Sequence, residues 1–213
     1  MKIYTVQLWQ LPQRTVGAGI YLGKGLVITA AHVASDYRIE VQIGDVTVPA
    51  KSVKRDGSID LLLFSIDEQK LPADLQALRM PLCEKPPLDR APVILAAPQG
   101  ITRTSMLPSL TFSPADLARW PTVIADVETN GKSGSGVFDA EGKCLHGILS
   151  AKINVNDNNT PKAVGTYFVP ASVIRPFVSS AGGTAKGTAV GTSANGRPVG
   201  TPGSGRGSPE NPY

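Results

Sequence analysis

Short apolar runs, broken every few residues by glycine, aspartate or proline, constrain this chain more than any other feature. GIYLGKGLVITA (19–30) has two strand-like halves around the turn Gly23-Lys24-Gly25. IEVQIGDVTVPAKSVK (39–54) alternates apolar and polar residues on both sides of Gly44-Asp45. Period-two alternation marks a strand with one buried face, and a short turn containing glycine joins two such strands antiparallel. MKIYTVQLWQ alternates in the same way and predicts a strand over 3–9, while LLLFSI after Arg55-Asp56-Gly57-Ser58 reads as a fully buried strand. Further strands are predicted at 91–97, 101–112, 121–127, 136–139, 144–153 and 165–169, with a helical turn in SPADLARW and a polar loop over 154–162. PASVIRPFV (170–178) predicts a short helix despite Pro176. So many closely spaced short strands predict an all-β sandwich or barrel. Residues 68–90 carry Pro72, Pro81, Pro86 and Pro87 and show no clean period, so they read as a long connection between two barrel halves.

The 213 residues suffice for one sizeable core or two small barrels that share one. From 181 the composition changes: AGGTAKGTAVGTSANGRPVGTPGSGRGSPENPY holds no aromatic residue before Tyr213 and almost no large apolar one. Such a segment cannot bury enough surface to offset its ordering entropy, so 181–213 is expected to be a disordered Gly/Ser/Thr/Pro-rich tail. The net charge of 21 − 17 = +4 is small, and no basic run interleaves with aromatics, so no nucleic-acid partner is expected. No apolar stretch approaches the roughly 20 residues of a membrane helix. The N-terminus also lacks the roughly 7–15-residue apolar core of a signal peptide, which leaves the compartment open between the cytoplasm and export by another route. Cys83 and Cys144 are too few for a disulfide-rich scaffold and read as separate buried thiols, with a disulfide as the alternative. No Cys/His cluster suggests a metal, and no cofactor is expected.

Chemistry concentrates in Thr129–Phe138, TNGKSGSGVF, where Ser133 stands in the pattern G-x-S-G. A serine hydroxyl is a weak nucleophile until a base takes its proton, and attack on a carbonyl needs donors for the oxyanion that forms. Glycines on both sides let the backbone turn tightly enough for the N–H groups of Gly131 and Ser133 to converge beside the hydroxyl. Rival readings fail on single positions. A phosphate-cradling loop needs glycine at 126, where Asp126 stands and would repel phosphate, and a nucleophile elbow needs glycine at 135, where Ser135 stands. The dinucleotide pattern begun by Gly17 and Gly19 ends on Leu22 with no helix after it. Asp60 opens the apolar run LLLFSI, and an aspartate there is either a turn residue capping the strand or a carboxylate held for a histidine.

His32, Asp60 after 28 residues and Ser133 after 73 more follow the chain order of a chymotrypsin-type triad. With GAGIYLGKGLVITAAHV around His32, IDLLLFSID around Asp60, DVETNGKSGSGVFDAEGKCLHGILSA around Ser133 and GTYFVPASVI near the end, the chain resembles the trypsin-like serine peptidases over about residues 3–178. It is most similar to the HtrA-type bacterial protease domain, without a PDZ domain. The resemblance implies two six-stranded antiparallel β-barrels with the active site between them: an N-barrel at about 1–75, a C-barrel at about 88–170 and a C-terminal helix at 170–178, all within a protease domain of residues 1–180. It implies a serine endopeptidase acting on polypeptides, with His32 as general base and acid, Asp60 as its partner and Ser133 as nucleophile. Gly131 and Ser133 would form the oxyanion hole. His146 is the competing base, for which a core or surface role is expected, and Ser135 is read as structural. By alignment the substrate pocket is bounded by Val127, Glu128, Thr129, Ser150, Ala151, Lys152, Gly165 and Thr166, and Ser150 matches the pocket-wall serine that bonds substrate backbone.

Two departures bear on function. Trypsin-like zymogens carry aspartate before the serine, where it pairs with a freed N-terminus; Lys132 stands there, which argues against activation by N-terminal cleavage. With Val127 at the pocket floor no acid receives Arg or Lys, and a small or medium apolar side chain is expected before the scissile bond; Asp126 or Glu128 at the floor would reverse this. Two alternatives stay open: a catalytically silent protease fold used as a binding or scaffold module, and a virus-encoded polyprotein-processing protease. Reaction with a serine-directed phosphonate separates the first from an enzyme, and self-cleavage of a longer precursor identifies the second.

Overall fold

The computed structural model describes residues 5–10, 15–34, 38–108, 121–126, 132–157 and 160–182. Its first six strands are β1 (Thr5–Gln10), β2 (Thr15–Gly23), β3 (Leu26–Ala30), β4 (Ile39–Ile43), β5 (Val46–Asp56) and β6 (Leu61–Ile66). They close into an antiparallel barrel in the order β1-β2-β3-β6-β5-β4. The two hairpins legible in the sequence are β2–β3 and β4–β5.

Burial explains where alternation holds and where it fails. β4 alternates buried and half-buried residues along its length. In β6, Leu62 and Phe64 point into the barrel with Tyr21, Val27 and Val41, whereas Leu61 and Leu63 lie on its outer face with Ile20 and Ile28. That outer face packs on Ile94, Ala96, Phe138, Ile148 and Val169 of the second sheet. β6 is therefore apolar on both sides and reads as a continuous run. Inside the barrel, the Tyr21 hydroxyl donates to Glu68 Oε1 at 2.8 Å, and burial, helped by that carboxylate, pushes its pKa up to about 12.

The second sheet comprises β7 (Pro92–Ala97), β8 (Gly100–Ser105), β9 (Val123–Ile124), β10 (Gly136–Asp139), β11 (Leu145–Asp157) and β12 (Thr160–Pro170), in the order β8-β7-β10-β11-β12-β9. It curls until its edges meet at an antiparallel bridge, Met106–Ile124, around Val93, Leu95, Val137, Leu149 and Phe168. The expected two-unit β architecture thus takes the form of one closed barrel and one curled six-stranded sheet. The strand expected over 101–112 reaches only Ser105, followed by the bridge at Met106. Residues 109–112, the expected helical turn in SPADLARW and the tail beyond 182 lie outside the described residues.

Three expectations are corrected. The polar loop predicted over 154–162 contains paired strand: Asn154 pairs with Ala163, Val155 with Lys162, Asn156 with Pro161 and Asp157 with Thr160. The ladder is made by backbone groups, and turn-forming side chains conceal it. The C-terminal helix, α2 (Ala171–Gly182; a single turn, α1, lies at Ala73–Gln76), runs past 178 and through Pro176. Its buried Ile174 and Phe177 and half-buried Val178 and Ala181 form an apolar stripe on the shared core. Packing of this stripe outweighs the backbone hydrogen bond that proline forfeits. Finally, Cys83 and Cys144 form a disulfide, not separate thiols. The connection between the two sheets runs alongside the start of β11, where Leu82 bridges Leu145, Leu145 N donates to the Pro81 carbonyl, and Cys83 N donates to that of Leu145. This pairing brings the two cysteines within 5.0 Å, Cα to Cα.

Candidate active site

β3 and β6 pair in register to Ala30–Leu61, so the residues that follow β3 and precede β6 share one rim of the barrel. His32 stands there on a single 3₁₀ turn, Ala31–Val33. Asp60 closes the preceding turn of β6 with φ +55°, a left-handed conformation that aspartate tolerates better than most residues. In this conformation the Asp60 carbonyl accepts from Ala31 N at 3.1 Å, while its carboxylate turns back on His32. Asp60 Oδ1 accepts from His32 N at 3.0 Å, and Oδ2 lies 2.8 Å from His32 Nδ1.

Two residues from elsewhere complete this arrangement. The Ser150 hydroxyl donates to Asp60 Oδ2 at 2.6 Å. β11 and β12 shift register between Leu149 and Ala151, and the bulge at Ser150 re-aims its side chain across to the first barrel. Burial alone would raise the Asp60 pKa, but the hydrogen bonds from His32 and Ser150 outweigh it and hold the carboxyl below its usual range. Arg55 on β5 spans the histidine turn: its guanidinium donates to the Ala34 carbonyl at 2.7 Å and the Ala31 carbonyl at 2.8 Å. Sequence reading missed Arg55 because the contact crosses 21 residues with no local motif. Tyr167 was missed too; burial, then the Asp60 charge, raises its pKa.

Ser133 lies on a turn tied to both sheets. Its carbonyl accepts from Ala18 N on β2 at 3.0 Å, and Gly134 N donates to the Leu149 carbonyl at 2.9 Å. Gly134 has φ +84°, and a Cβ there would overlap the Ala18 carbonyl and Thr29 Oγ1, so only glycine fits. A Cβ on Gly17 would likewise overlap Val33, the residue after His32. Gly17 and Ala18 on β2 therefore pack against the histidine turn on one side and the serine turn on the other.

Of the expected pocket residues, Ala151, Lys152, Gly165 and Thr166 lie along the β11–β12 ladder, where Lys152 pairs with Thr166. Val127, Glu128, Thr129 and Gly131, the residue expected to share the oxyanion hole with Ser133, lie outside the described residues. Asp126 and Lys132, which flank them, form an ion pair at 3.3 Å. His146 lines a separate cavity of about 150 Å³ with Cys83, Pro86, Pro87 and Pro170. Among the described residues its buried Nδ1 has no hydrogen-bond partner, and burial lowers its pKa. Ser135 is fully buried, and among the described residues its hydroxyl also has no hydrogen-bond partner. Among the described residues no group of three or more His, Cys, Asp or Glu side chains is arranged to hold a metal ion, and no helix is long and apolar enough to cross a membrane.

The trypsin-like peptidase domain model matches residues 17–148, which include His32, Asp60 and Ser133. The chain belongs to the trypsin-like peptidase family, and that membership makes it a serine-type endopeptidase acting on polypeptides. Among solved structures it is similar to the active form of the Rv3671c protease from M. tuberculosis, at 18% identity and TM-score 0.62, over 84% of this chain and 81% of that one. It is also similar to the serine endoprotease from Yersinia pestis, at 20% identity and TM-score 0.65, over 84% of this chain and 62% of that one. At these identities the likeness shows the fold. No curated protein sequence matches the chain.

Proposed function

We propose that this chain hydrolyses peptide bonds through His32, Asp60 and Ser133 by way of a covalent acyl-enzyme. The observation that carries the reading is the environment of the Asp60 carboxylate, which is bonded at once to His32 N, His32 Nδ1 and the Ser150 hydroxyl. Facing an ionised carboxylate, Nδ1 keeps its proton and Nε2 is left as the base. Ser133 Oγ passes its proton to Nε2 and attacks the peptide carbonyl carbon. The resulting oxyanion accepts from the N–H groups of Gly131 and Ser133, each donor contributing about 3–4 kcal/mol in the transition state. The protonated Nε2 then gives its proton to the departing amine as the C–N bond breaks, leaving an ester on Ser133. A water then gives a proton to Nε2 and attacks that ester; the acyl–Oγ bond breaks, Ser133 Oγ takes the proton back from Nε2, and the acid product leaves.

The same reading gives the substrate pocket to Val127, Glu128, Thr129, Ser150, Ala151, Lys152, Gly165 and Thr166. With Val127 at its floor, it takes a small or medium apolar side chain before the scissile bond. The peptidase unit is about residues 1–180, with an N-barrel at about 1–75 and a C-barrel at about 88–170. Steady-state hydrolysis of a mixed peptide library tests the assignment. Ser133→Ala is expected to abolish turnover, and Asp60→Asn to lower kcat by about 10⁴. Turnover by purified Ser133→Ala at the wild-type rate would refute it.

A further inference from the structure

Lys132 occupies the position directly before the nucleophile. Its carbonyl accepts from Ser135 N at 3.0 Å, so its own peptide is part of the turn that carries Ser133. Its side chain leaves that turn and meets the carboxylate of Asp126, Nζ to Oδ2, at 3.3 Å. Asp126 is itself anchored: its carbonyl accepts from the hydroxyl of the fully buried Thr166 on β12 at 2.7 Å, and its neighbour Ala125 donates to the Ser105 carbonyl at 2.9 Å. A continuous chain of contacts thus runs from the second sheet through Asp126 and Lys132 into the serine turn. The two side chains are only 20% and 22% exposed, so water screens the pair far less than it would a surface ion pair. Removing either partner leaves the other charge mostly buried and uncompensated.

Resting on the reading of Ser133 as nucleophile, we propose that the Lys132–Asp126 ion pair is an internal latch that sets the serine turn in its reactive conformation. Lys132 and Asp126 are positioning residues: they act through the backbone of the turn, where the Lys132 carbonyl accepts from Ser135 N. The latch is made within the second sheet and needs no free N-terminus. The chain therefore requires no cleavage to organise its nucleophile.

The test is the second-order rate of fluorophosphonate labelling at Ser133, measured with the unfolding midpoint of each variant. A turn displaced by about an ångström costs on the order of 10²-fold in reactivity, so Lys132→Met and Asp126→Asn are each expected to label at least about tenfold more slowly while remaining folded. The double variant should be no slower than the worse single one, because the two residues act as a unit. Exchanging the charges, Asp126→Lys with Lys132→Asp, should recover most of the lost rate. Wild-type labelling rates in folded Lys132→Met and Asp126→Asn would overturn the proposal. Should those variants not fold, a chain extended by several residues before Met1 decides: equal labelling supports an internal latch, and lost labelling overturns it. Failure of the unmodified protein to label at all would instead sink the reading of Ser133.

Discussion

Reducing or removing the Cys83–Cys144 disulfide should destabilise the fold by an amount its loop length allows to be worked out. The bond joins residues 61 apart, binding the connection between the sheets to the start of β11. Treated as a constraint on the unfolded chain, a loop of that length removes about 14 cal/mol/K of entropy, or about 4 kcal/mol at 25 °C. For a domain of this size each kcal/mol moves the midpoint by about 2–4 °C, so a loss of about 8–16 °C is expected. The assay is thermal unfolding followed by circular dichroism of the oxidised protein, the phosphine-reduced protein and the Cys83→Ala/Cys144→Ala variant. The last two should agree, since both lack the same constraint. A variant midpoint within about 2 °C of the oxidised protein, or two free thiols titrated in the native protein prepared without reductant, would refute the reasoning. The bond also couples this chain's stability to the redox state of its surroundings.

Ser150→Ala removes one donor from the Asp60 carboxylate and should cost about 1.5–3 kcal/mol at neutral pH. Because hydrogen bonding depresses the folded pKa of Asp60, that stabilisation is complete above the unfolded carboxylate value near 4 and is lost as pH falls through the folded value. The gap between wild type and Ser150→Ala in denaturant titrations should therefore be constant around neutral pH and narrow as the pH falls below about 4. His146 shifts downward for a different reason, since burial keeps it neutral while the unfolded chain protonates near pH 6.5. Wild-type stability should hold above that value and decline below it toward the folded pKa, and the decline should be absent in His146→Leu, measured by melting between pH 7.5 and 5.5. Arg55→Lys gives up the two-pronged grip on Ala31 and Ala34. It should lower kcat with little change in KM, and peptide hydrolysis kinetics will show whether the split falls that way.

What the sequence disclosed follows from how local each signal is. The hairpins at Gly23–Gly25 and Gly44–Asp45 could be placed because alternation and turn chemistry sit within a dozen residues of one another. The candidate triad was legible for a related reason: the stretches around His32, Asp60 and Ser133 are each self-contained. Contacts made across the chain left no such trace. The Ser150–Asp60 bond spans 90 residues, and it depends on a bulge that composition does not reveal. The disulfide depends on the Leu82–Leu145 bridge, which no cysteine spacing announces. Lys132 stands out in the sequence as a departure from the zymogen pattern, but nothing local ties it to Asp126, which the sequence presents only as a misfit to a phosphate loop and an alternative pocket floor. At 154–162 the polar side chains gave the wrong answer because strand pairing there uses the backbone.

Intact-mass spectrometry after incubation with a fluorophosphonate, on wild type beside Ser133→Ala, tests the central claim most directly. A nucleophile activated by the His32–Asp60 pair predicts a single adduct, located on Ser133 and missing from the variant. An unlabelled wild-type protein, or an adduct that persists in Ser133→Ala, would contradict it.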